Sequence, residues 1–278
     1  MTSFRWVHDL SPYLMQAQIA GHPVGVRWYG LAYVLGLFCA FFAFRRAAAR
    51  GVLPGFDMDA LLQLMGAVTV GVVGGGRLGY VVQHPARLFS NPLFFFQVWE
   101  GGMAFFGGLV GVIAAMLWTA HRQRVSFWRL ADVAAFPAAF GLGVGRIANF
   151  INGELVGRPT GGNWGVIFPR VDMLPRYPSQ LYEAASHFLL LGALLWCWRR
   201  YPNWVSGTPG RLAALFLFGY GALRFVTDFY RDDDTYFGPF SSGQWASLLV
   251  ALVGAALLTF FMRFRIVNPV IRVHDTAR

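Results

Sequence analysis

Lysine is absent from this 278-residue chain, and charged residues of both signs make up only 13% of it. Soluble domains carry about 25%. That shortage, set against 56% hydrophobic residues, excludes a water-soluble core: too many helix-length stretches hold too few polar positions. The net charge of +10 comes from arginine. The arginines stand mostly at the ends of apolar runs, which argues for membrane flanks and against nucleic-acid binding. Cysteine is scarce as well. Cys39 and Cys197 lie inside apolar runs, with no spacing for a metal site or a redox pair. The histidines, at positions 8, 22, 84, 121, 187 and 274, are scattered, so no metal site can be read from them. No small-residue cleavage site follows the first apolar run, and no cleaved signal peptide is expected. Nor is there a fixed-period repeat, or a linker long enough to separate domains.

What is present is a succession of apolar segments, each near the roughly 20 residues that cross a bilayer. Seven spans are predicted, at about residues 24–44, 60–82, 103–120, 130–151, 178–198, 211–230 and 241–262. The second should be interrupted at Gly74-Gly75-Gly76-Arg77. Arg45, Arg46 and Arg50, then Arg122, Arg124 and Arg129, then Arg199, Arg200 and Arg211, then Arg263 and Arg265 fall on one side of this arrangement. That side is cytoplasmic by the positive-inside rule. The fold expected is all-α and polytopic, a single integral membrane domain over residues 1–278 with the N-terminus periplasmic and the C-terminus cytoplasmic. Two periplasmic elements accompany it. Residues 1–23 are expected as a short interfacial helix, and residues 152–177, rich in glycine and proline, as a compact loop. The acidic run 232–234 lies on the same outer side.

Charges inside membrane spans are costly and usually face a bundle interior or a cavity. Arg77, Arg146 and Arg224 lie within or near the ends of spans, while Asn149, Asn152, Glu154, Gln180, Glu183, Asp228 and Arg231 gather towards the outer ends. Arg146, Asn149 and Asn152 recur every third residue and share a helix side, and Arg224 and Asp228 are an i, i+4 pair. Two readings of Arg146 stand here: a structural ion pair with Glu154 or Asp228, or a ligand for an anion. Arginine grips phosphate bidentately, and the abundant phosphate at that depth belongs to a lipid headgroup. His187 follows Glu183 by one turn and could bond to it or accept a proton. Tyr29 could bond a headgroup or sit in an aromatic belt. The glycines of Glu100-Gly-Gly-Met-Ala-Phe-Phe106-Gly-Gly108 permit either tight helix packing or close approach of a ligand.

Five segments carry a resemblance: Gly145-Arg146-Ile-Ala-Asn149-Phe-Ile-Asn152-Gly-Glu154-Leu-Val-Gly157-Arg158, Gly75-Gly76-Arg77-Leu-Gly-Tyr, Glu100-Gly-Gly-Met, Pro178-Ser-Gln-Leu-Tyr-Glu183 and Gly219-Tyr-Gly-Ala-Leu-Arg224. In that order they resemble the bacterial phosphatidylglycerol–prolipoprotein diacylglyceryl transferase family, over nearly the whole chain. The resemblance implies transfer of the diacylglyceryl group of phosphatidylglycerol to the lipobox cysteine of a preprolipoprotein signal peptide, with release of glycerol 1-phosphate. It implies a bacterial inner-membrane location with the site towards the periplasmic leaflet, and no cofactor or metal. Carried over residue by residue, it implies catalytic roles for Tyr29, Arg146, Asn149, Glu154 and Arg224. Substrate binding falls to Arg77, Phe106, Asn152, Gly157, Gln180, Asp228 and Arg231. Two departures stand out: Phe106 occupies the position where the family usually has histidine, and Tyr177 follows Arg176 where histidine is frequent. Phenylalanine cannot take a proton, so a lipid-binding relative without turnover, or transfer to another acceptor, stays open as the alternative.

Overall fold

The computed structural model describes residues 5–19, 22–97, 102–232 and 235–263. Glu100 and Gly101, Asp233 and Asp234 of the acidic run, Arg265 and His274 lie outside the described residues. The chain opens with β1 (Arg5–Val7), β2 (Tyr13–Ile19) and β3 (His22–Arg27). Helix α1 (Trp28–Ala49) follows, then α2 (Met58–Gln83), the short α3 (Pro85–Ser90) and a 3-10 turn at Pro92–Phe96. Next come α4 (Phe105–Arg122), α5 (Phe127–Asn152), β4 (Gly165–Ile167), β5 (Pro175–Arg176), α6 (Ser179–Arg200) and the short α7 (Pro202–Gly207). Helix α8 (Arg211–Asp228), the hairpin β6 (Tyr236–Phe237) and β7 (Phe240–Ser241), and α9 (Ser242–Arg263) complete it. Among the described residues six helices, α1, α2, α4, α5, α6 and α9, are long and apolar enough to cross a membrane. The chain is therefore a predominantly helical, multi-pass membrane protein. The remaining long helix, α8, is 18 residues long and carries Arg211, Arg224 and Asp228.

Two expectations are corrected. The N-terminal segment is extended, not helical. β2 and β3 form an antiparallel hairpin, and β1 pairs in parallel with β4 in a sheet of order β1-β4-β5. Its partner lies some 160 residues away, so no local period announces it. Helix α2 also runs unbroken through Gly74-Gly75-Gly76.

The chain forms two compact units, residues 40–134 and the remainder. In the first, Phe44, Leu53, Leu61, Leu64, Met116, Leu130 and Val133 make the buried core. The α2 glycines are spent there on α4. A Cβ on Gly75 would strike the carbonyl of Gly107, and one on Gly111 would strike the carbonyl of Gly71. The two backbones touch directly, the close approach that small residues permit between membrane helices. In the second unit, Ala135 and Ala139 of α5 pack with Leu190 and Leu194 of α6, Val205 of α7 and Leu212 of α8. A smaller cluster of Phe150, Val156, Val166 and Phe168 holds the 153–177 loop against the end of α5.

The glycine contact yields a test within one unit. Gly111→Ala overpacks backbone against backbone and is expected to lower stability by about 1–3 kcal/mol. Gly66→Ala, at a helical position where a Cβ meets nothing within 4 Å, should be neutral or stabilising by up to about 1 kcal/mol. Thermal unfolding in detergent measures both, and equal melting temperatures would refute the direct-contact account.

Candidate functional site

Three helices of the second unit bring their polar residues to one carboxylate. Glu183, on the first turns of α6, is fully buried. Its Oε2 lies 2.7 Å from Arg146 Nε of α5, and its Oε1 lies 3.0 Å from Arg224 Nη1 of α8 and 3.6 Å from Arg231 Nη1 just beyond it. Arg224 also meets Asp228 at 2.8 Å, one turn along α8. These contacts are ionic and not aligned as hydrogen bonds: both Glu183 oxygens and Arg224 Nη1 make none. The two carboxylates have no exposed side-chain surface, whereas the three arginine side chains keep 11–17%. The acids sit behind and the donors in front. Arg146 spends only its Nε on Glu183. Its two terminal nitrogens, the fork that fits phosphate, have no acceptor among the described residues.

Local structure sets the neighbours. Helix α5 ends in a Schellman turn: Gly153, at φ +69°, donates to the Phe150 carbonyl at 3.0 Å, and Glu154 donates to the Asn149 carbonyl at 3.0 Å. That reversal brings the exposed Glu154 carboxylate back over the same helix, where the Asn149 and Asn152 amides each donate to it at 3.4 Å. Gln180 donates to the Glu154 carbonyl at 2.7 Å. Arg146 thus pairs with Glu183, and neither acid considered from the sequence takes that role. His187 bonds through Nδ1 to the Glu183 backbone carbonyl, not to its carboxylate. A carbonyl only accepts, so Nδ1 carries the hydrogen.

Asp228 is held from the other side. Ser241 Oγ donates to Asp228 Oδ2 at 2.6 Å while accepting the Gln244 N–H at 3.0 Å, and Gln244 Oε1 accepts the Ser241 N–H at 2.9 Å. This is a capping box at the start of α9, so one hydroxyl both begins a helix and orients a site carboxylate.

Gly157 lies in a backbone lattice. It bridges Arg231, Arg158 N–H donates to the Tyr230 carbonyl at 3.1 Å, and Tyr177 N–H donates to the Arg158 carbonyl at 3.1 Å. A Cβ at Gly157 would collide with the Tyr177 and Tyr230 carbonyls, so only glycine fits. Buried Arg176 closes this lattice. It donates to Asp172 at 2.5 Å, to Asp232 at 2.6 Å and to the Gly157 carbonyl at 2.9 Å. The hydrogen bond from Arg176 holds the Asp172 carboxyl below its ordinary pKa, and the same bond raises that of Arg176.

The remaining candidates stand elsewhere. Tyr29, 39% exposed, packs edge-on against Tyr33 at 5.1 Å. Arg77 and Phe106 belong to the other unit. The Arg77 guanidinium, almost fully buried, donates to the carbonyls of Phe94, Phe95 and Gly102 and lies over the Phe94 ring at 4.7 Å. Phe106 is 72% exposed on the first turn of α4. Glu183 and Arg176 were missing from the candidates named as catalytic or substrate-binding. The signal for Glu183 was present: it is the sole acid in α6.

Apolar spans around a buried arginine–carboxylate cluster define a multi-pass membrane protein whose polar chemistry lies within its helical bundle. Residues 16–260 match the family model of prolipoprotein diacylglyceryl transferase. Similar chains include the phosphatidylglycerol–prolipoprotein diacylglyceryl transferases of Bordetella bronchiseptica, Pasteurella multocida and Polynucleobacter asymbioticus. The first is 44% identical, covering 87% of this chain and 93% of its own. The second is 46% identical, covering 85% and 88%, and the third 40%, covering 90% and 97%. The chain belongs to the prolipoprotein diacylglyceryl transferase family.

The depressed Asp172 pKa gives a pH test. A carboxyl lowered in the folded loop contributes stability in full above its ordinary value of about 3.9, lost as pH falls through the lowered one. Hydrogen exchange of the 156–158, 176 and 177 amides, corrected for intrinsic rate, should stay protected at pH 5. A further acid step below about pH 3.9 should be present in wild type and missing in Arg176→Gln. A step centred above the ordinary value would contradict the assignment.

Proposed function

We propose that this chain transfers the diacylglyceryl group of phosphatidylglycerol to the thiol of a lipobox cysteine in a preprolipoprotein signal peptide. The observation that carries the reading is the unspent terminal fork of Arg146, held over a buried carboxylate beside Arg224 and Arg231, in a chain of this family. Arg146 and Arg224 grip the headgroup phosphate. Asn149, Glu154 and Tyr29 orient the reacting groups. Asn152, Gly157, Gln180, Asp228, Arg231, Arg77 and Phe106 shape the substrate sites. The protein spans the bacterial inner membrane as one domain, with α8 as a seventh span, its N-terminus and the 152–177 loop periplasmic and its C-terminus cytoplasmic. The charged end of α8 then lies at the outer leaflet, where arginines reach headgroups, and the arginine-rich helix ends face the cytoplasm.

The reaction is a displacement at the glycerol carbon that bears the phosphoester. The cysteine sulfur forms the S–C bond, the C–O bond breaks, and its electron pair leaves on glycerol 1-phosphate. The thiol proton passes to an acceptor. Neither cofactor nor metal is needed to balance the step. The thiolate is the nucleophile, and neighbouring guanidiniums favour it by stabilising the anion. The same positive groups stabilise charge growing on the leaving phosphate.

Purified protein, phosphatidylglycerol and a lipobox peptide, with product mass measured, test this directly. Arg146→Ala and Arg224→Ala should each lower turnover about a hundredfold or more. Arg146→Lys should also be poor, since an ammonium lacks the fork. Arg199→Ala, exposed at the far end of α6, should change little. Wild-type turnover by folded Arg146→Ala would refute the phosphate grip.

Phe106 provides a second test. General-base help is typically worth about a hundredfold or more, and a thiol with a reference pKa near 8.5 is already partly ionised at neutral pH. The wild type is therefore expected to be active. Phe106→His should match or exceed it, with the optimum moved to lower pH. A thioether formed by Phe106→His but not by wild type would favour the lipid-binding alternative.

A further inference from the structure

Arg176 touches none of the residues that surround Glu183, yet it holds the chain on which one of them stands. Its Nη1 reaches Asp232, the residue after Arg231, at 2.6 Å, and the carbonyl of Gly157 at 2.9 Å. Gly157 is the bridge partner of Arg231. On the third side, β5, which contains Arg176, pairs with β4, and Thr160 N–H donates to the Pro175 carbonyl at 2.8 Å. One guanidinium thus ties Asp232, next to Arg231, and Gly157, its bridge partner, to the β1-β4-β5 sheet. Helix α8 ends at Asp228, and Arg231 follows in a turn in which its N–H donates to the Asp228 carbonyl at 3.1 Å. Its Nη1 stands 3.6 Å from Glu183, farther than Arg146 at 2.7 Å or Arg224 at 3.0 Å. Among the three arginine contacts with Glu183 this is the longest, and Arg231 is the arginine whose backbone joins this lattice.

We infer that Arg176 is a positioning residue that fixes Arg231 for the phosphate of the lipid substrate, an inference that rests on the transfer reading above. It acts through the backbone that carries Arg231 and its bridge partner Gly157, and through lipid binding. Its loss therefore raises KM for phosphatidylglycerol and spares both kcat and KM for the lipobox peptide. A residue needed only for folding would instead lower the amount of active protein, which is read in kcat.

The experiment is a double-mutant cycle on the full-length protein. Arg231→Gln should raise KM for phosphatidylglycerol about tenfold or more, and Arg176→Gln about threefold to tenfold, with kcat within twofold in both. The double variant should match Arg231→Gln within twofold. A double variant whose KM rises by the product of the two single effects overturns the inference, as does an Arg176→Gln effect confined to kcat. Should Arg176→Gln fail to fold, Asp232→Ala replaces it in the cycle. It removes one arm of the clamp at a side chain 45% exposed, and the same outcomes apply. If wild type makes no thioether, the transfer reading fails separately. The cycle is then read in the Kd for a short-chain phosphatidylglycerol, where coupled variants support the positioning role and additive ones overturn it.

Discussion

The structure turns on the cost of keeping guanidinium groups inside an apolar bundle. Arginine does not give up its proton, so three such side chains must be compensated where they stand. Glu183 does most of this, with both oxygens in use and no surface exposed. Breaking a buried ion pair by removing one partner leaves an uncompensated charge and costs several kcal/mol. Glu183 therefore fixes which ends of α5, α6 and α8 meet. Asp228, which could have balanced Arg224 alone, is bound into the start of α9 through Ser241.

The cluster has a rigid back and an open front. Behind it lie carboxylates held by helix geometry and by a capping box, and in front lie the terminal nitrogens of Arg146. The division suits a ligand that is anionic and comes and goes. Three guanidiniums face two carboxylates, so the cluster carries an excess positive charge that suits an anion able to accept charge-assisted hydrogen bonds. The 153–177 loop supplies a further hold on Arg231 beyond the end of α8.

Much of this was legible in the sequence. Six of the seven expected spans followed from apolar runs closed by arginines, and the shared side of Arg146, Asn149 and Asn152 from their three-residue spacing. The Arg224–Asp228 pair followed from theirs. Each is a local regularity that one helix imposes on its own side chains. What escaped was set between elements. Glu183 becomes the centre only when α6 lies between α5 and α8, and no spacing within α6 states that. The N-terminal strand was misread because β1 finds its partner in β4, far along the chain. Arg176 was given no role from the sequence, because its partners Asp172, Asp232 and Gly157 come together only in the fold. The unbroken α2 shows the converse. Glycine clusters signal helix breaks in water, but between membrane helices they signal contact.

That contact bears on how the first unit can move. Packed helices usually slide past one another by small adjustments of interlocking side chains, the shear mode of conformational change. Between Gly71 and Gly75 of α2 and Gly107 and Gly111 of α4 there are no side chains to adjust. Translating one helix along the other would drive backbone into backbone. The pair is thereby reduced to a single lever: α4, with Phe105 and Phe106 at its tip, can tilt or pivot only in company with α2.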